Sequence, residues 1–312
     1  MDINGFPRTA VEFDERFGTE EACRSYLMKV RWPNGFICPG CGCERGWQLQ
    51  SRPVIECSRC HGQISLTAGT IFHGSRKPLR MWFKAIFLAS AQKTGTSAKN
   101  LKRQLGLGSY QTAWTWLHKI RRAMVRPGRE PLVGIVEVDE SYVGGVEEGV
   151  RGRKTETKAV VAVAVEVNGK GSGRVRMERV EDVSKDSLQP FVERNVARGS
   201  TVKTDGWKGY GDLREGGRRH HKRKLYGDGK KASRFFPHVH RAVALLKRWL
   251  LGTHQGCVSH KHLPSYLNEF EFRFNRRRAR DVTLLFQRVC EFAVVTPPMT
   301  YAGLVAQHVG VP

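Results

Sequence analysis

Four cysteines in the spacing C-x2-C-x15-C-x2-C, Cys38, Cys41, Cys57 and Cys60, constrain this chain more than any other feature. Two residues between cysteines let one tight turn aim both thiolates at a single point. The intervening segment is long enough for a short hairpin to carry the second pair opposite the first. Four thiolates around tetrahedral zinc make a closed site with no open position for a substrate, so the expected ion is structural. The stretch is short and rich in glycine and proline, and without a metal it has little on which to fold. Cys43 reads as a spectator, and Cys23, Cys257 and Cys290 as single thiols.

The length, 312 residues, allows two or three compact units. Lysine and arginine number 53 against 29 aspartates and glutamates, a formal net charge of +24. Such an excess repels itself in a compact fold and points to a polyanionic partner, nucleic acid first. The chain opens polar and acidic, without a charged-then-apolar signal, and no run approaches the ~18 apolar residues of a membrane span. The expectation is a soluble cytoplasmic protein, in which paired cysteines read as metal ligands rather than disulfides.

Residues 1–75 are expected to hold a helix in "TEEACRSYLMKV" and the cysteine ribbon. Residues 76–127 carry apolar positions at helical spacing, Trp82, Phe83, Ile86 and Phe87, then Leu101 and Leu105, then Ala113, Trp116, Leu117 and Ile120. Ser97 can cap the middle helix, "LGLGS" makes a glycine turn, and Tyr110 opens the next helix. Helix, glycine turn and helix with outward cations resemble a helix-turn-helix, with Arg103, Lys119, Arg121 and Arg122 as candidate DNA contacts. "VRPGREP" reads as a linker. Residues 128–312 then change character, with β-branched runs "VGIVEVDES" and "KAVVAVAVEV", an alternating "GRVRMERVED", a helix, the strand "STVKTDGW" and further helices. The expected class is α+β or α/β, with a mixed sheet flanked by helices.

Asp139 closes the apolar "GIVEVD" and Asp205 closes "TVKTD", so each is expected to end a strand at the sheet rim. Two such acids on neighbouring strands suit Mg²⁺ or Mn²⁺, which take a couple of carboxylates plus water and phosphate oxygens. An aspartate before glycine is also a common turn residue. Glu137, two residues before Asp139, is on its face and is read either as a supporting partner or as solvated. In "PHVHRAVALLKRWLLG" the spacing of seven sets His240 and Lys247 on one helix face. Glu269 and Glu271 are expected to pair with nearby arginines. Dense cation runs at 216–231 and 273–280 add Arg218, Arg219, Lys222, Arg223, Arg276 and Arg277 as candidate backbone contacts on DNA.

Ribbon, helical segment, "VEVDESYVGG", "KTDGWKGY" and "LKRWLLGTH…YLNEFEFRFNRR" in this order resemble bacterial insertion-sequence transposases of the DDE superfamily, in the branch with an N-terminal zinc ribbon. The resemblance implies a ribonuclease H-like domain whose metal-site positions fall on Asp139, Asp205 and, in place of the superfamily's third acid, His240, followed by Lys247. It implies Mg²⁺-dependent cleavage at terminal inverted repeats and transfer of the freed 3′-hydroxyl into target DNA. It also implies double-stranded DNA as partner and a homodimer or larger synaptic assembly. The alternatives are a zinc-ribbon DNA-binding regulator and an inactive or host-adopted derivative.

Overall fold

The computed structural model describes residues 7–49, 54–126, 128–145, 157–223, 234–279 and 283–306. Parts of three expected segments, residues 127, 224–231 and 280, lie outside these. The chain divides into two compact units, one of residues up to 126 joined by the segment 279–307, the other built on residues 127–278. Among the described residues no helix is long and apolar enough to cross a membrane.

In the first unit, α1 (Ala10–Phe17), α2 (Glu20–Arg31), α4 (Ala98–Leu105) and α5 (Tyr110–Ala123) each start after a Ser or Thr whose oxygen accepts an N–H three residues on. That geometry satisfies a donor the helix itself leaves unpaired. Between α2 and α4 lies α3 (Leu79–Ala91), which has no cap of its own; the Glu20 carboxylate accepts from the N–H groups of Leu79 and Arg80 at 2.9 and 3.1 Å. Gly106, at φ 60°, ends α4 in the left-handed region that favours glycine. The helix after the sheet domain, Thr283–Val295, packs in this unit and not on the sheet. Its Phe286 is fully buried, with ring centroids 5.9 Å from Phe13, 5.5 Å from Phe17 and 5.9 Å from Phe83. A short helix, Tyr301–Ala306, follows.

The ribbon is a three-stranded antiparallel sheet of β1 (Gly46–Gln48), β2 (Val54–Cys57) and β3 (Gln63–Ser65). Arg31 of α2 ties down its exit, donating to the carbonyls of Ser65, Leu66 and Ala68.

The second unit has a five-stranded mixed sheet. Its strands are β4 (Ile135–Val143), β5 (Ala159–Asn168), β6 (Gly171–Val180), β7 (Thr201–Thr204) and β8 (Arg219–Lys222), in the order β6-β5-β4-β7-β8. β4 pairs antiparallel with β5 and parallel with β7, and β8 runs parallel to β7. Alternation along β5 separates two cores. Val161, Val163 and Val165 face the helices Pro237–His254 and Leu263–Asn275, through Val239, Leu246, Leu267 and Phe270. Val160, Ala162 and Ala164 face the helix Lys185–Asn195, through Leu188, Phe191 and Val192. In chain order these are α6 (Lys185–Asn195), α7 (Pro237–His254), α8 (Leu263–Asn275), α9 (Thr283–Val295) and α10 (Tyr301–Ala306). Helices on both faces bury the sheet, as the mixed α/β pattern requires.

Strand β8 buries His220, whose Nε2 lies 2.9 Å from the Thr204 hydroxyl, while its Nδ1 is buried without a hydrogen-bond partner. Burial and then Lys222 push its pKa down to about 4. A histidine depressed in the fold contributes stability that is complete above its unfolded value near 6.5 and disappears as pH falls toward 4. The fold is therefore expected to lose up to about 3 kcal/mol across that window. Urea midpoints at pH 7 and pH 4.5 measure it; His220→Gln is expected to flatten the difference.

Candidate functional site

The cysteine ribbon closes as its spacing predicts. The Sγ atoms of Cys38, Cys41, Cys57 and Cys60 all lie within 4.8 Å of one another, with Cys38–Cys60 at 3.6 Å and Cys41–Cys57 at 3.5 Å. Ligands about 2.3 Å from a tetrahedral zinc stand roughly 3.8 Å apart, so the set fits that ion. The two knuckles repeat one backbone pattern. Cys38 and Cys57 each donate an N–H five residues on, to Cys43 and Gly62, and each accepts from the residue four on, Gly42 and His61. Those two donating residues, Gly42 and His61, take positive φ, 70° and 53°. Cys43 stays outside the cluster, 3.3 Å from the Ser58 hydroxyl.

Asp139 sits in the middle of β4, not at its end as the sequence suggested. The strand that stops is β7. It pairs Val136 with Val202 and Glu137 with Lys203, and it ends at Thr204. Carried two residues beyond its last pair, this parallel register would bring Asp139 level with Asp205, the first residue past the end of β7. The opening at the sheet therefore arises where β7 ends beside a β4 that continues along β5 to Val143. Asp205 turns the chain there, its Oδ1 accepting the N–H of Trp207 at 2.8 Å.

Alternation puts Glu137 and Asp139 on the face covered by α7, and Val136, Val138 and Glu140 on the other. Glu137 is buried, and its Oε2 accepts the N–H groups of His238 and Val239 at 2.8 and 3.0 Å. It thus caps the start of α7 from inside the sheet, matching negative charge to the positive end of the helix. Burial still raises its pKa, against those two N–H bonds and the nearby His238. At the fourth residue of the helix, His240 Nε2 lies 3.7 Å from Asp139 Oδ2, both side chains partly exposed. Burial lowers the His240 pKa, which favours the neutral imidazole. Lys247, two turns on, is exposed; partial burial of its stem and the Lys158 ammonium lower its pKa.

Among the described residues, only the four cysteines gather three or more ligand atoms within 4.8 Å; the two aspartates and His240 do not close that tightly. Removing the Glu137 carboxylate strands two buried donors at about 1–3 kcal/mol each. Glu137→Ala is expected to destabilise the fold by about 2–5 kcal/mol in urea unfolding. Glu137→Gln, which keeps an acceptor oxygen, loses less.

On the opposite face, Tyr210 is fully buried and donates to Glu140 Oε2 at 2.8 Å. Burial, then the charges of Glu140, Asp139 and Asp205, hold its proton far above the usual phenol range. One phenol thus feels Glu140, Asp139 and Asp205 together. Sequence reading missed it; its only signal is an aromatic five residues after Asp205.

The candidate DNA contacts divide by burial. Arg103, Arg219, Lys222, Arg223 and Arg277 are exposed, and Lys119, Arg122 and Arg276 partly so. Arg223 lies 3.4 Å over the Phe235 ring. Arg276 and Arg277 stack at 4.1 Å on Phe272 and 3.9 Å on Phe274, and Arg277 also donates to the carbonyls of Ser172 and Gly173. Arg121 is 2% exposed, because it follows Leu117 by one turn on the core side of α5. Arg218 is buried as well, spending its guanidinium on the carbonyls of Glu193, Val196 and Gly216. Neither side chain presents its charge at the surface. Glu269 pairs with Arg273 at 3.0 Å and Glu271 with Arg129 at 2.8 Å, as expected of them.

Comparison with known proteins adds the decisive observation. Residues 131–275, which contain the sheet, both aspartates and His240, match the ISXO2-like transposase domain, and residues 18–63 match the transposase zinc-ribbon domain. The chain belongs to this transposase family. A relative from Halobacterium salinarum, described as an uncharacterized protein in transposable element ISH50, is 28% identical over 276 residues, covering 82% of this chain and 91% of its own. The four-thiolate cluster of the transposase falls within its matched ribbon segment. Its mixed sheet flanked by helices agrees with a ribonuclease H-like transposase domain.

Proposed function

We propose that this transposase binds the ends of an insertion sequence, cuts a DNA strand there, and joins the freed 3′-hydroxyl to target DNA. Both steps are in-line displacements at phosphorus that differ only in the attacking oxygen. The observation that supports the reading is the parallel register of β4 and β7, whose continuation leads to Asp139 on one strand and to Asp205 just past the end of the other. Two adjacent carboxylates are hard donors of the kind Mg²⁺ or Mn²⁺ accepts together with water and phosphate oxygens. When bound, such ions supply charge stabilisation at the phosphate and a more acidic attacking water. His240 offers one neutral nitrogen at the third position, a softer ligand than a carboxylate.

Around this centre, Glu137 fixes the start of α7 and so the place of His240. Lys247 and Lys158 form a basic pair suited to a flanking phosphate. The exposed arginines and lysines of β8 and of the end of α8 hold the DNA backbone, which makes binding steeply salt-dependent. The ribbon and the helices of residues 76–127 read the ends, and pairing two ends calls for a homodimer or larger assembly.

The test is incubation with Mg²⁺, a duplex carrying an end taken from the DNA flanking the gene, and a supercoiled plasmid. A covalent product joining the end to the plasmid is the expected result. Hydrolysis without joining would make the protein a nuclease. Binding with neither product would make it a DNA-binding regulator or an inactive derivative.

A further inference from the structure

Immediately past Asp205 the chain builds a second feature that the metal-site reading does not use. A cavity of about 440 Å³ opens between the start of α6 and the turn Trp207–Gly209, walled by the indole of Trp207 and rimmed by Lys185 and Lys208. Both lysines are exposed. The acid at its edge, Asp182, is already engaged, accepting from the Ser184 N–H at 2.9 Å and the Ser187 hydroxyl at 2.7 Å. Those bonds favour its ionised form, so the rim carries two ammonium groups and one carboxylate, a net positive charge over an aromatic floor.

The indole is held from three directions. Its backbone N–H donates to Asp205 Oδ1 and its Nε1–H to the Val183 carbonyl, each at 2.8 Å. Gly209 closes the third side. A Cβ there would stand 2.1 Å from the Val183 oxygen and 2.7 Å from Trp207 Nε1, so only glycine lets the turn approach this closely. A ring fixed in this way loses little freedom when something stacks on it. The Lys208 ammonium lies 5.9 Å from the ring centroid, at the outer limit of a cation–π contact, and can turn to an anion.

We propose that this cavity holds one unstacked nucleobase of the DNA strand beside the scissile phosphate, lying on Trp207 with its own phosphate between Lys185 and Lys208. A flat apolar ring joined to an anion is the chemistry that an aromatic floor and a cationic rim select. The same Trp207 backbone holds the Asp205 carboxylate, so the base and the metal-site acid share one turn. The proposal deepens the transposase reading and rests on it for the identity of the nucleic acid.

The test uses the full protein and end duplexes in which bases near the cut are replaced, one at a time, by 5-iodouracil. Irradiation is expected to link one position to Trp207, identified by peptide mass spectrometry. Trp207→Ala is expected to slow cleavage roughly tenfold or more, the worth of one base stack. Trp207→Phe, which keeps an aromatic floor, is expected to restore most of the rate. An abasic site at the linked position should erase the difference between wild type and Trp207→Ala. Links only to other residues, or an alanine defect equally large on intact and abasic DNA, would overturn the proposal. A link to Trp207 in a protein that never cuts would keep the cavity and remove the enzymatic reading; cutting without the link would do the reverse.

Discussion

Asp139→Ala and Asp205→Ala are each expected to lower strand cleavage and joining by about a thousandfold or more while leaving end binding intact. The magnitude follows from the several kcal/mol of charge stabilisation that a divalent ion lends a phosphoryl transfer, at 1.36 kcal/mol per factor of ten. Binding survives because the cations of β8 and α8 are separate side chains. Both variants should keep the wild-type unfolding free energy, read from urea titration, to within about 1 kcal/mol, since partly exposed acids contribute little to stability. Rates on a labelled end duplex, read beside a gel shift, check the split. Cutting by both variants would remove these residues from the chemistry.

Cys57→Ser is expected to release zinc and unfold the ribbon. Cys57 is fully buried and ends β2, so its thiolate joins the metal cluster to the sheet. Binding of structural zinc supplies about 10 kcal/mol or more of folding free energy in small modules, and three remaining thiolates hold the ion far less firmly. Metal analysis should fall from one zinc per chain toward none. Trypsin should then cut quickly at the exposed Arg45 and Arg59, which in the folded ribbon flank paired strands. The helices of the first unit should persist, because their aromatic core lies outside residues 38–60.

Much of this arrangement was legible in the residues themselves. Ser97, the glycine turn and Ser109 mark helix starts and stops by local hydrogen bonds, and local chemistry is what a sequence displays. The cysteine spacing works for the same reason. Strand β8 escaped notice because Arg219–Lys222 has no apolar alternation; it becomes a strand only by pairing with β7. Helix α1 buries just Phe13 and Phe17, too few to stand out. The full length of β4 was hidden because its polar "ES" is held by pairing with β5. Partners far apart in the chain were beyond local pattern altogether. Glu137 reaches its helix 101 residues away, and Tyr210 finds its acceptor 70 residues back. Charge misled in a different way: a run of arginines does not disclose which ones turn inward, as Arg121 and Arg218 do.

The return of α9 to the first unit carries a consequence for synthesis. Phe286 fills a space bounded by Phe13, Phe17 and Phe83, so the part of the first unit made before the sheet emerges from the ribosome with its aromatic centre still vacant. That unit is completed only after Phe286 has been made. A product truncated before α9 would be left with an unfilled hole where Phe286 belongs, and is expected to be less stable for it.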